Sequence, residues 1–321
     1  MAKLPLFRDC GTHDVHIAML QNNPDYARAR LSIEAQARNF LNSARAAERE
    51  MRRVIPVVVH VIYRSETENI SDGQIASQID ALNRDFRMRN ADLVNVPAPF
   101  KPLAADAQIE FVLARIDPAG QPTSGITRTK TAVPRFSTDN TMKFSVQGGH
   151  DAWDGSRYLN LWVCPEIFRG TTNQPLLGYA QFPGGLPATD GVAIVHQAFG
   201  TVGTSVVPFD LGRTATHEVA HWLDLFHIWG DMDDCTGDDH VDDTPRQQTA
   251  NTNTPSFPHI TCNNGPNGDM FMNYMDYVND KAMFMFTIGQ VARMQATLAN
   301  ARATIGLPHI AALAGVSALP G

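Results

Sequence analysis

Between Thr214 and Leu225 the chain carries His217, Glu218 and His221, and six residues past the last of these stands His227. No other stretch restricts fold and chemistry as tightly. On an α-helix, residues four apart share a face, so the imidazoles of His217 and His221 converge on one point while Glu218 sits one step round. If the helix ran on, His227 would lie about 9 Å further along its axis, too far for a metal bond of about 2 Å. The helix must therefore break between His221 and His227. Residue 224 is the place for the break, and Asp224 enters the left-handed backbone region more readily than most residues other than glycine.

Three neutral imidazoles leave one corner of a tetrahedral zinc site free, which is the arrangement of a catalytic ion rather than a structural one. Such an ion acidifies a water and polarises a carbonyl, while Glu218 takes the proton from the water and hands it to the leaving amine. The spacing thus predicts metal-assisted peptide hydrolysis. A lone histidine on an apolar face is more often an inert core residue, but three at ligand spacing with a glutamate inserted favour a metal.

A net charge of -7 over 321 residues argues against a nucleic-acid binder living on phosphate contacts, and leaves metal cations and basic peptides as fitting partners. Hydrophobic residues at 43% and charged ones at 18% place the chain among folded proteins. The longest apolar run, Val54 to Tyr63, is interrupted by Pro56 and His60 and is too short to cross a bilayer. Met1 to Phe7 is followed at once by Arg8, Asp9 and Cys10, with no apolar core of signal-peptide length. Export through a leader not contained in this sequence, export by another route, and residence inside the cell all stay open on that observation.

Residues 1–53 are rich in Ala, Arg and Glu and loosely helical, and Arg49, Arg52 and Arg53 close them before a β-branched run begins at Val54. A boundary near residue 53 follows. Ser71 and Gln74 form a capping box ahead of Ile75, Ile79, Leu82 and Phe86, which predicts a helix of roughly 16 to 20 residues. Ile109 to Ile116, Tyr158 to Cys164 and Val192 to His196 read as strands, so the expected class is α/β (α+β). Residues 303–321, rich in Ala, Leu and Pro, read as a tail that caps a last helix or hangs free.

His217 to Gly230, HEVAHWLDLFHIWG, resembles the extended zinc signature of the metzincins. Further blocks narrow the resemblance to the ulilysin-like pappalysins: LGYAQFP at Leu177 to Pro183, DGVAIVH at Asp190 to His196, GDDHVDDTP at Gly237 to Pro245, NYMDY at Asn273 to Tyr277 and FTIGQVARM at Phe286 to Met294. It spans roughly residues 54 to 302. The chain departs from the pattern in having Asp224 where the family usually has glycine, and Ala220 where close relatives often do.

The resemblance implies a metzincin catalytic domain. A twisted mixed sheet and the active-site helix stand above the cleft, to about residue 227, and an irregular lower part follows over 228–302. It puts Met275 at a methionine turn beneath the metal and Tyr277 beside it as an oxyanion stabiliser. It implies structural calcium in the acidic loop, with Asp231, Asp238, Asp239, Asp242 and Asp243 as candidate ligands, and a bridge between Cys235 and Cys262 that favours an extracellular setting. Within RDCGT, Cys10 resembles a latency cysteine able to take the open metal corner, with Asp9 as a substitute and a Cys10 to Cys164 bridge as the competing reading. Asp280 matches the acidic residue that holds Arg or Lys just after the cut, which makes the bond before Arg52 or Arg53 a self-cleavage site. The expected activity is that of a zinc endopeptidase made as a zymogen, acting on proteins or peptides. An inactive or calcium-dependent binding protein on the same fold is the alternative.

Overall fold

The computed structural model describes residues 4–42, 52–170 and 172–307. Two helices come first, α1 (Thr12–Asn22) and α2 (Pro24–Leu41). Asn23 separates them, and its side chain accepts the N–H groups of Asp25 and Tyr26 to cap α2. Then follow β1 (Arg53–Tyr63), α3 (Asp72–Phe86), β2 (Ile109–Leu113), β3 (Ile126–Lys130), β4 (Leu159–Cys164), β5 (Gly178–Ala180) and β6 (Val192–Val195). The zinc-signature helix is α4 (Arg213–Trp222), and α5 (Ile288–Ala299) closes the described chain.

The sheet runs β2-β1-β4-β6-β5, and β3 pairs with the second half of β1. All strands are parallel except β5, the antiparallel edge. A parallel sheet is covered on both faces, which is why β1 reads as a nearly unbroken apolar run and not as an alternating one. Helix α3 lays Ile75, Leu82 and Phe86 into that cover. It is 15 residues long, slightly shorter than expected, and only half of the expected capping box forms. Ser71 accepts the Gln74 N–H, but the Gln74 amide turns away to the carbonyls of His196 and Phe199 and so pins the loop ahead of α4.

Helix α4 is buried along its whole length between the sheet and what lies below. From His227 to Phe286 no described helix or strand exceeds three residues. A disulfide joins Cys235 to Cys262 there, with Cα atoms 5.5 Å apart, and clips together a stretch with little apolar content. Cys10 and Cys164 are both free, so the competing bridge between them does not form. Helix α2 packs on α5 and α1 on β5, which lays residues 4–42 across the edge of the sheet and the cleft beneath it. Arg49, and with it much of the expected self-cleavage stretch, lies outside the described residues, as do 308–321 of the expected tail.

Candidate metal centre and substrate cleft

The imidazoles of His217, His221 and His227 meet at one point. Their Nε2 atoms stand 3.1 Å (His221 to His217), 3.0 Å (His221 to His227) and 3.3 Å (His217 to His227) apart. Bonds of about 2.0 Å in a tetrahedron put neighbouring donors about 3.3 Å apart, so the spacing suits one small dication. Each Nδ1 is committed elsewhere: His217 to the Tyr274 carbonyl at 2.7 Å, His221 to the Leu225 carbonyl at 2.6 Å and His227 to Asp231 at 2.5 Å. A ring that donates from Nδ1 offers its lone pair from Nε2. Burial lowers the pKa values of His217 and His221 well below the usual histidine range, which keeps both rings neutral and able to bind a cation.

The break that brings His227 back falls at Asp224, with φ of +78°. The N–H groups of Leu223 and Leu225 both reach the Ala220 carbonyl and close the helix end. Its carboxylate does not bond the turn's own amides. It is fully buried and pairs with Arg30 of α2 at 2.5 Å and Arg293 of α5 at 2.9 Å.

Glu218 is buried beside the three rings. Its Oε2 accepts the Thr12 hydroxyl at 2.9 Å and lies 3.3 Å from the Cys10 sulfur. Burial pushes its pKa up to about 7, against the hydrogen bonds from Cys10 and Thr12 and the charge of Arg8. The Cys10 sulfur completes a four-donor set with the histidines, all donor atoms lying within 4.8 Å of one another. Cys10 reaches this place because residues 9–12 lie along the edge strand: the Leu177 N–H donates to the Asp9 carbonyl, and the Gly11 N–H donates to the Gly178 carbonyl. Asp9 is corrected as a substitute for it, since its carboxylate turns away to Arg169 at 2.7 Å and Gln174 at 2.8 Å.

Tyr277 packs its ring against His217, His227 and Trp229, and its hydroxyl accepts the Cys10 N–H at 3.2 Å. Met275 is fully buried, and its carbonyl takes the N–H of Ile228 next to His227. Asp280 is no solvated loop residue. It is buried, accepts the Leu211 N–H and lies 2.5 Å from the guanidinium of Arg8. Arg8 also donates to the Val278 carbonyl and the Thr214 hydroxyl, and lies over the Phe209 ring.

Three of the five loop aspartates read together with calcium have other partners, Asp238 facing the guanidinium of Arg246 at 3.5 Å. Asp231 carries His227 on one oxygen and His13 on the other; burial alone would raise its pKa, but the two imidazoles hold it far below the carboxylate range. Asp243 caps α5, accepting the Thr287 hydroxyl and the Gly289 N–H. Asp238, Asp239 and Asp242 line a cavity of about 170 Å³ together with Gly237, Thr244 and Arg246. Asp239 is buried there, and burial raises its pKa to about 7.

Arg8, Thr12, Arg30 and the partner role of Asp231 escape the sequence. RDCGT holds the only hint, an arginine two residues ahead of Cys10.

The metzincin architecture and this donor set define a metalloendopeptidase. The family described as Pregnancy-associated plasma protein-A, the M43 peptidases, matches residues 143–299. An extracellular metalloprotease of Pyricularia oryzae is 33% identical over 279 residues, 84% of this chain and 83% of that protein. One from Verticillium alfalfae is 31% identical over 92% of this chain and 90% of its own. Among solved structures, a Tannerella forsythia promirolysin mutant superposes with a TM-score of 0.84 at 45% identity, covering 93% of this chain and 97% of that one. Mature mirolysin from the same organism, in complex with a cleaved peptide, gives 0.78 at 49% identity, covering 83% and 99%. The chain belongs to the pappalysin family of metzincin metalloproteases.

Proposed function

We propose that His217, His221 and His227 hold zinc, that Glu218 is the general base, and that the chain is a secreted zymogen whose residues 1–53 keep it latent. The observation that carries this reading is the convergence of three Nε2 atoms at 3.0 to 3.3 Å beside a buried carboxylate. Zinc in that set supplies Lewis acidity for the scissile carbonyl and makes a water easier to deprotonate. The Glu218 carboxylate accepts the proton from that water and returns it to the leaving amine. Tyr277, freed of the Cys10 backbone, turns its hydroxyl to the developing oxyanion.

Latency in this reading is threefold. The Cys10 sulfur fills the fourth corner, Thr12 and Cys10 occupy the oxygen of Glu218 that must take a proton, and Arg8 fills the pocket floored by Asp280. The Arg8 to Asp280 pair supports a preference for Arg or Lys after the cut. The likeness to promirolysin over a larger share of the chain than to mature mirolysin supports the zymogen, and the extracellular relatives support secretion. We further propose structural calcium at Asp238, Asp239 and Asp242, where the buried Asp239 carboxylate, bonded to the Val241 N–H and the Thr244 hydroxyl, has no ion-pair partner among the described residues.

Glu218→Gln tests the assignment. The variant keeps its metal and loses casein cleavage after limited trypsin digestion, by at least about 100-fold. Retained cleavage would refute the role of Glu218.

A further inference from the structure

On the far side of the metal centre from Arg8, a second arginine of the N-terminal segment is held in a built cage. The guanidinium of Arg30 lies 2.5 Å from Oδ1 of Asp224 and donates to the Pro183 carbonyl at 3.2 Å. Its Cζ stands 5.2 Å from the centre of the Phe182 ring and 5.9 Å from that of Phe226. These two rings are themselves stacked, 4.8 Å apart. Phe182 also lies edge-on to His221, at 5.5 Å.

The walls belong to the catalytic part; from the segment Arg30 fills them, while His16 lies edge-on to both rings and Glu34 pairs with Arg293 behind. Arg293 grips Asp224 through Oδ2 and through the backbone carbonyl, so the carboxylate stays fixed whether or not Arg30 is present. Among the described residues Oδ1 has no hydrogen-bond partner, and its ion-pair partner is Arg30. A buried carboxylate oxygen under two aromatic faces selects a cation that can stack, as a guanidinium does. The cage is also on the path of a bound chain. Residues 9–12 follow the edge strand from Leu177 to Ala180, and Phe182 and Pro183 continue that edge beyond Thr12, away from Arg8 and Asp280.

We propose that, once the N-terminal segment is cut away, the cage of Asp224, Phe182, Phe226 and the Pro183 carbonyl is a specificity subsite for an arginine or lysine side chain of the substrate. It lies on the opposite side of the scissile bond from the Asp280 pocket. This rests on the peptidase reading above. The N-terminal segment then fills both cationic subsites with its own arginines, and a residue where the family usually has glycine acquires a substrate-binding role.

The full chain, activated by limited trypsin digestion, is offered peptides with Arg fixed after the cut and with Arg or citrulline at each of the four positions before it. Citrulline keeps the shape of arginine and removes its charge. One position should give a kcat/KM ratio of Arg to citrulline of about tenfold, falling towards one in Asp224→Asn and in Phe182→Leu. Asn tolerates the same left-handed backbone, and the Phe182 variant keeps the test open should the first fail to fold. A ratio near one at every position in the parent, or a ratio that survives both substitutions, overturns the subsite while leaving the peptidase reading intact. No cleavage of any peptide overturns the peptidase reading itself.

Discussion

At the residue scale, Asp224 shows how one position carries backbone and side-chain demands at once. Its φ of +78° is glycine territory, and an aspartate there costs about 1 kcal/mol that a glycine would not. Against that stands a fully buried carboxylate shared by Arg30 and Arg293, whose removal leaves two buried guanidinium groups short of a partner, at about 3 kcal/mol. The larger effect decides the sign. Asp224→Gly is therefore expected to destabilise the full chain by about 2 kcal/mol in a urea titration, and a stabilised variant would contradict the pairing. The sequence showed that residue 224 must turn, because a helix cannot otherwise bring His227 back. It could not show the partners, which lie far from residue 224 along the chain.

At the element scale, local periodicity was informative and long-range pairing was not. Helix α4 and the strands at 109, 158 and 192 follow from spacing and β-branched runs, and the structure has them within a few residues. The edge strand β5 is only three residues long, too short for alternation to register, yet it lines the cleft. Asp243 makes the same point. In the sequence it belongs to an acidic loop, but in the fold it caps α5, next to the reciprocal Thr287 and Gln290 bonds. Asp243→Ala should cost about 1 kcal/mol through the lost cap, read as a lower denaturation midpoint that falls equally with calcium present and with calcium chelated. A loss confined to the calcium-loaded form would instead make Asp243 a calcium ligand.

At the scale of the whole molecule, the N-terminal segment and the catalytic part meet through charge at several places besides the His13 to Asp231 contact. Arg8 meets Asp280, Arg169 meets Asp9, and Glu34 and Arg30 meet the Arg293 and Asp224 pair. All surround the cleft, and between them Cys10 reaches the histidines. Residue types announced the metal site because ligand geometry leaves few solutions. They did not announce these contacts, since any arginine pairs with any aspartate until a fold brings the two together. The central claim is that three imidazoles hold a catalytic zinc which the N-terminal segment covers. It is tested by measuring zinc content and casein cleavage on the same sample before and after limited trypsin digestion. One zinc per chain in both states, with cleavage appearing only after digestion, is the predicted result; a chain without stoichiometric zinc, or one fully active while intact, would contradict it.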